Sequence, residues 1–427
     1  MGPMSTVDEG GLPAVDGLSP VLGSPAVGGS AAVNGLSSAV DGPPVANGLS
    51  SAVDGPAAVG DVSPAAGDLS LAADGFARPS SRAAAAGSLS RAVGSLFLAV
   101  DGGNSKTDVL LGDTSGRVLA VVRGGTSSPH NIGLPGTIEV LGKLIAAAYA
   151  QAGLPADLPV DAIAVYLAGA DLPIEVTRLR EAIAAQGWAR HTQVDNDCFA
   201  LLRAGTSMPD AVTVVCGAGN NCVGRAADGR TARFVALGPI SGDWGGGHDL
   251  ADYTLRAAAR GEDGRGRPTA LSAAVAAHFG LPTVEAVSIA LHLGDLPMTR
   301  IPELTPLLFE VAATGDDVAS TLITRQAREI LAQHRVAATR LDLLARPHAL
   351  VLGGGVLQAR HPQLHDQVLA GAQAQAPLVE VTVLSTPPVA GAALLALDAL
   401  GALPPAEHAL RQAVTRHQPR PANSTAG

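Results

Sequence analysis

Residues Leu98–Leu111 read LAVDGGNSKTDVLL. An apolar run ends on Asp101, small and polar residues follow (Gly102, Gly103, Asn104, Ser105, Lys106, Thr107), and a second apolar run begins. An ordinary hairpin fits this pattern. So does a strand-to-strand turn whose successive backbone N–H groups face one concavity and hold an anion such as phosphate. The stretch is not a Walker A loop, because Ser105 stands where GxxxxGK[ST] requires glycine. In the phosphate reading, Lys106 and the hydroxyls of Ser105 and Thr107 add charge and donors. Asp101 would then hold a magnesium-bound water at the strand end.

A second stretch repeats the arrangement. VVCGAGNNCVG, Val214–Gly224, is again a buried strand, a turn of small residues and a buried strand. Its turn, Gly217, Ala218, Gly219 and Asn220, is of the kind that lets backbone approach a ligand closely. HALVLGGGV ends on Gly353, Gly354 and Gly355, a third cluster against which a flat ring such as adenine can lie. Each cluster alone is weak evidence. Two turns, one per half of the chain, can grip a triphosphate from both sides.

The rest of the chain sorts around these turns. At 427 residues it is long enough for two domains, and with 47% apolar but only 3% aromatic residues its cores are built from Ala, Val and Leu. The net charge of −10 argues against a nucleic-acid partner, which needs a basic face. Cys198, Cys216 and Cys222 form no CxxC pair, which fits a reducing cytoplasm and argues against disulfides or a zinc site. No apolar run approaches the roughly 20 residues of a membrane span, and the N-terminus lacks a signal-peptide pattern. Residues 1–92 are a loose repeat (PAVDGLSP, AAVNGLSS, SAVDGPAAVG) with little bulky apolar surface. They read as a disordered tail or as the product of a start placed too far upstream. Residues 403–427 are expected to be a second disordered tail. Between the tails the pattern is α/β, with a strand meander opening each half and a long helical region from roughly Pro306 to Leu344.

On VDGGNSKTDVLL, YLAGAD, the NDC segment, CGAGNNCVG, SGDWGGG and VLGGGV, the chain from about Leu96 to Leu400 resembles the actin/hexokinase/heat-shock ATPase superfamily. Within it, the similarity is to the BadF/BadG-type ATPase and N-acetylglucosamine kinase group. The resemblance implies an α/β fold of two ribonuclease-H-like lobes, 95–205 and 206–402, around a cleft holding ATP and Mg2+. The last apolar helix, PPVAGAALLALDAL, would pack back on the N-terminal lobe. The resemblance makes Asp171 of YLAGAD the catalytic base, a carboxylate that takes the proton of the attacking hydroxyl. Asp197 would orient the waters of the magnesium or a sugar hydroxyl, although Asp195 and Asn196 read equally as helix caps. His130 and Asn131 of TSSPHNIG, Asn221, and Asp243 of GDWGGG fall in segments that contact the sugar.

Two departures stand out. Pro129 precedes His130 where the sugar kinases usually have Asn, in a segment one residue shorter, and Ala218 replaces a threonine. The function implied is an ATP-dependent kinase acting on a hydroxyl of an amino sugar, N-acetylglucosamine or glucosamine, at the 6-position. A homodimer is compatible with this reading. The alternatives are an ATPase activator of a dehydratase or reductase, holding an iron–sulfur cluster through thiolates, and a sugar-sensing regulator of the same fold.

Overall fold

Three strands form an antiparallel meander: β1 (Leu96–Gly102), β2 (Thr107–Asp113) and β3 (Val118–Gly124). In β1, Leu98 and Val100 face one core, while Phe97 and Ala99 face another. Burial on both faces is why this strand reads as a continuous apolar run rather than an alternating one. Two strands, β4 (Val160–Leu167) and β5 (Ala189–Asn196), then add in parallel beside β1. Their crossover helices, α1 (Pro129–Ala152) and α2 (Pro173–Ala184), cover one face through Leu141, Ile145, Tyr149, Leu179 and Ile183.

A computed structural model of the chain describes residues 95–416. Residues 1–94 and 417–427 lie outside them, and with them the expectations for segment 1–92 and for the end of the second tail.

After helix α3 (Asp197–Gly205) the chain builds a second sheet from β6 (Ala211–Cys216), β7 (Asn220–Arg225), β8 (Thr231–Arg233), β9 (His348–Gly353) and β10 (Val379–Val383). The first sheet runs β3-β2-β1-β4-β5 and the second, from its meander edge, β8-β7-β6-β9-β10. Both therefore have two antiparallel and two parallel pairings in the same order. The expected duplication is an architectural one, and the fold is the mixed α/β arrangement of two ribonuclease-H-like lobes.

Between β8 and β9 lie α4 (Gly247–Glu262), α5 (Leu271–His278), α6 (Val284–Leu293), α7 (Leu304–Ala313) and α8 (Asp317–Arg340). The long helical region is thus two helices. Gly315 turns the chain at φ +93°. Asp316 then caps α8 by accepting a hydrogen bond from Ala319 N–H at 2.8 Å. Past β9 come the single turn α9 (Gly355–Gln358), α10 (Pro362–Gln375), and, after β10, α11 (Pro388–Ala399) and α12 (Pro404–Arg416).

Helix α11 returns to the first lobe, where Val389, Ala390, Ala393, Leu394 and Leu397 share a core with Phe97, Leu110 and Tyr166. At Gly391 its backbone touches α3 so closely that a Cβ would lie 1.8 Å from the Ala200 carbonyl oxygen. Only glycine fits there.

One expectation needs correction. Residues 404–416 are not a tail. Ala406, Leu410 and Val414, spaced by four, form one buried stripe of α12 on the first lobe's core. The helix is also fixed by Arg203 of α3, which is buried and donates to Glu407 at 2.7 and 3.0 Å and to Asp398 at 2.8 and 3.1 Å. Helix α1, at 24 residues, is long and apolar enough by length and composition to cross a bilayer, although Glu139 and Lys143 interrupt its apolar run. One face of it is buried against the first lobe through Thr137, Leu141, Ile145, Ala148 and Tyr149, and Glu139 and Lys143 pair on its outer face.

Because Leu410 is fully buried, Leu410→Ala should cost about 2–5 kcal/mol by loss of transfer energy and formation of a cavity. Denaturant unfolding checks this, and a variant as stable as the parent would contradict the docking of α12.

Candidate active site

Parallel pairing puts the C-terminal ends of β1, β4 and β5 at one edge, with Asp101 opposite Tyr166 and Tyr166 opposite Asp195. Asp101 ends β1, Asp171 lies four residues past β4, and Asp197 opens α3 after β5. Three acids therefore converge where the sheet opens.

Their electrostatics follow from burial. Asp101 is pushed up to about 8 by burial, then by the charges of Asp197 and Asp108, against the opposing effect of Lys106 and Arg123. Burial and the Asp197 charge raise Asp171 to about 7. Burial raises Asp197 to about 6, although hydrogen bonds from Cys198 oppose it. Buried carboxylates that repel one another bind a cation favourably. This donor set, oxygen-only and partly desolvated, suits magnesium, and Asp101 and Asp197 line one cavity of about 460 Å3. Gly103, Ser105, Lys106 and Gly354 line it too. Among the residues that the sequence did not single out, Arg123, Gln358, Ser385 and Thr386 bring polar groups to it.

The first turn is braced from behind. Gly103 N–H donates to Lys106 O at 2.8 Å, and Thr126 Oγ1 donates to Gly103 O at 3.0 Å. Buried Thr107 donates to Ser127 at 2.8 Å, so its hydroxyl is structural rather than turned to a ligand. Asn131 Nδ2 donates to Asn104 O at 3.1 Å, which ties the TSSPHNIG segment to the same turn. Gly102 is packed, since a Cβ there would meet Ser127 and Leu167 at 2.2 and 2.4 Å.

The second turn is tied to the lobe's glycine-rich loop. Gly217 O accepts from Gly247 N–H at 2.7 Å, and Ala218 O accepts from His248 N–H at 3.0 Å. Engaged in this way, the turn's carbonyl oxygens do not repel an anion. A Cβ on Gly219 would meet nothing within 4 Å, so that position faces open space. Gly246 lies against Gly219, and Gly354, at φ +85°, lies against the backbone of Cys216 and Gly217. Gly354 and the second turn are therefore in direct backbone contact. Gly353 is buried at the end of β9, and Gly355 opens α9.

The other expected sugar-contact residues are distributed differently. Asp171 Oδ1 accepts from Asn196 Nδ2 at 2.7 Å. Glu175, which the sequence did not flag, accepts from the N–H groups of Asp171 and Leu172 at 3.0 and 2.9 Å and pairs with His130 Nε2 at 3.0 Å. His130 and Glu175 line a separate pocket of about 190 Å3 with Leu134, Gly169 and Arg178. Asp243 is engaged locally, accepting from Gly238 N–H at 2.9 Å and Ser241 Oγ at 2.6 Å. Asn221 accepts from its neighbour Cys222 N–H at 2.7 Å. Asp195 is paired with Arg233 at 2.6 Å and not with the site. Asn220 donates to Trp244 O at 3.0 Å, and its buried Oδ1 has no protein partner.

Known proteins are similar to this chain over most of its length. An N-acetylmuramic acid/N-acetylglucosamine kinase of Clostridium acetobutylicum is 25% identical over 299 residues, 70% of this chain and 97% of its own. An N-acetyl-D-glucosamine kinase of Dictyostelium discoideum is 24% identical over 319 residues, 71% of this chain and 98% of its own. The crystal structure of a candidate N-acetylglucosamine kinase from Chromobacterium violaceum superposes with a TM-score of 0.56 at 23% identity. It covers 71% of this chain and 99% of its own. Residues 98–396, from β1 through most of α11, match a single family model, and the chain belongs to the BadF/BadG/BcrA/BcrD ATPase family.

Proposed function

We propose that the protein is an ATP-dependent kinase that transfers the γ-phosphate to a hydroxyl of an amino sugar, N-acetylglucosamine or glucosamine, at the 6-position. The observation that carries this reading is the placement of Asp171. It is a half-buried carboxyl raised into the neutral range, beside two acids suited to a metal and a cavity lined by the first turn and Gly354. A carboxylate with a pKa near 7 is matched to general-base work at neutral pH. The names of the two kinase relatives support an amino-sugar acceptor, and the exposed primary hydroxyl of a hexose is its least hindered nucleophile. Three free thiols fit a cytoplasmic location.

In this reading the backbone of the two turns holds the phosphates, with Lys106 and Arg123 near the first of them. Asp101 and Asp197 would hold magnesium, which when bound neutralises charge on the phosphates. Asp171 accepts the proton of the sugar hydroxyl, and His130 and Asn131 border the acceptor. The activator alternative needs thiolates that can reach a cluster at a surface. Cys198, Cys216 and Cys222 are all buried, and burial pushes the Cys216 thiol up to about 12, so these residues do not supply them.

A coupled ADP-release assay over a panel of hexoses and hexosamines with Mg·ATP tests the reaction class. Release stimulated by an amino sugar above the sugar-free rate is expected, and ATP hydrolysis indifferent to every sugar would refute the proposal. Asp171→Asn is nearly isosteric and should lower kcat by about 10²–10⁴-fold while sparing ATP and sugar binding. Near-normal kcat at saturating substrates would remove Asp171 from the mechanism. Gly219→Val places a side chain in open space without backbone strain, and Asp101→Ala removes a metal-holding carboxylate. Both should weaken Mg·ATP binding in calorimetry, and unchanged affinity in both would contradict a nucleotide held from both sides.

A further inference from the structure

Asn196, the last residue of β5, is 3% exposed, and both ends of its side chain are used. Its Oδ1 accepts from Cys198 N–H at 3.0 Å and so caps α3. A backbone N–H needs an acceptor, so this bond identifies the other end of the amide as the NH2 group. That NH2 donates to Asp171 Oδ1 at 2.7 Å, the short length of a charge-assisted bond. Glu175 holds the same residue from its backbone side, through Asp171 N–H at 3.0 Å. The Asp171 carboxyl is thus held at its main chain and at one of its two oxygens.

Resting on the reading of Asp171 as the base, we infer that Asn196 is a positioning residue that assigns separate tasks to the two Asp171 oxygens. Oδ1 takes the amide hydrogen bond, and Oδ2 takes the proton of the acceptor hydroxyl. The hydroxyl O–H bond breaks as an O–H bond to Oδ2 forms. The freed oxygen pair bonds the γ-phosphorus of ATP, and the bond to the departing ADP breaks. Asn196 also starts the helix that carries Asp197. One side chain therefore sets the base relative to the metal-holding acid.

The capping and positioning roles can be separated. Asn196→Ser retains a good cap acceptor but is too short to reach Asp171. Asn196→Asp retains volume and cap but replaces the donor with an oxygen. Asn196→Ser should melt close to the parent temperature and bind Mg·ATP normally, whereas Asn196→Asp sets a second carboxyl against Asp171 and should melt lower. Both should lose kcat by roughly 10- to 100-fold, the size of a lost hydrogen bond to a charged group. KM for the sugar should change much less. Asp171→Asn is measured alongside. If it is slow while Asn196→Ser is near normal, the inference fails and the base assignment stands. If Asp171→Asn itself is near normal, the base assignment fails and takes the inference with it. Joint loss of melting temperature, ATP affinity and kcat in both Asn196 variants would make Asn196 a structural residue only and overturn the inference.

Discussion

The active edge depends on the mutual repulsion of carboxylates that the fold forces together. Parallel pairing of β1, β4 and β5 brings three strand ends to one place, and each end, or the loop just past it, carries an acid. Two of them, Asp101 and Asp171, are raised well above the usual carboxylate range by burial and by one another's neighbours. A soluble domain rarely keeps such a cluster for stability, since each buried charge costs more than it returns unless paired. The arrangement becomes favourable when a cation is present, which is how magnesium-dependent phosphoryl transfer uses such an edge.

Around that edge much of the close packing is backbone on backbone. The second turn, the GDWGGG loop and the VLGGGV motif meet through Gly217, Gly219, Gly246 and Gly354, where main chains approach without intervening side chains. Glycine is needed at these places for closeness as much as for flexibility. The first turn is different. Its order comes from side chains behind it, Thr107, Thr126, Ser127 and Asn131, which fix the loop while Ser105 and Lys106 face the cavity.

Much of this was legible in the sequence because repeated local patterns carried it. The strand–turn–strand units, the glycine clusters and the acids beside them are all short-range signals, and the structure places their elements in two sheets of equal order. What escaped was set by pairing over distance. Arg123 reads as a surface residue on β3, and only the register opposite Asp108 turns it toward the first turn, where its guanidinium bonds Asp108 at 2.6 and 2.9 Å. Asn196 was read as a helix cap, which it is, but its second bond crosses to another loop. Glu175 carries no local signal, and its bonds to the Asp171 and Leu172 N–H groups and to His130 appear only in the fold. Helix α12 reads as a tail because its apolar stripe is thin and flanked by proline, although the spacing of four from Ala406 to Val414 marks a buried face.

The contact at Gly391 also bears on how the cleft can move. Helices that interdigitate through large side chains resist turning over one another, since each ridge must climb out of a groove. Where α11 meets α3, main chain rests on main chain, and there is no ridge to climb. The crossing is clamped all the same, because Arg203 of α3 bonds Asp398 of α11 at 2.8 and 3.1 Å. Ala200 of α3 also shares the first lobe's core with α11. The last helices of the chain are therefore passengers of that lobe, and they travel with it as one piece.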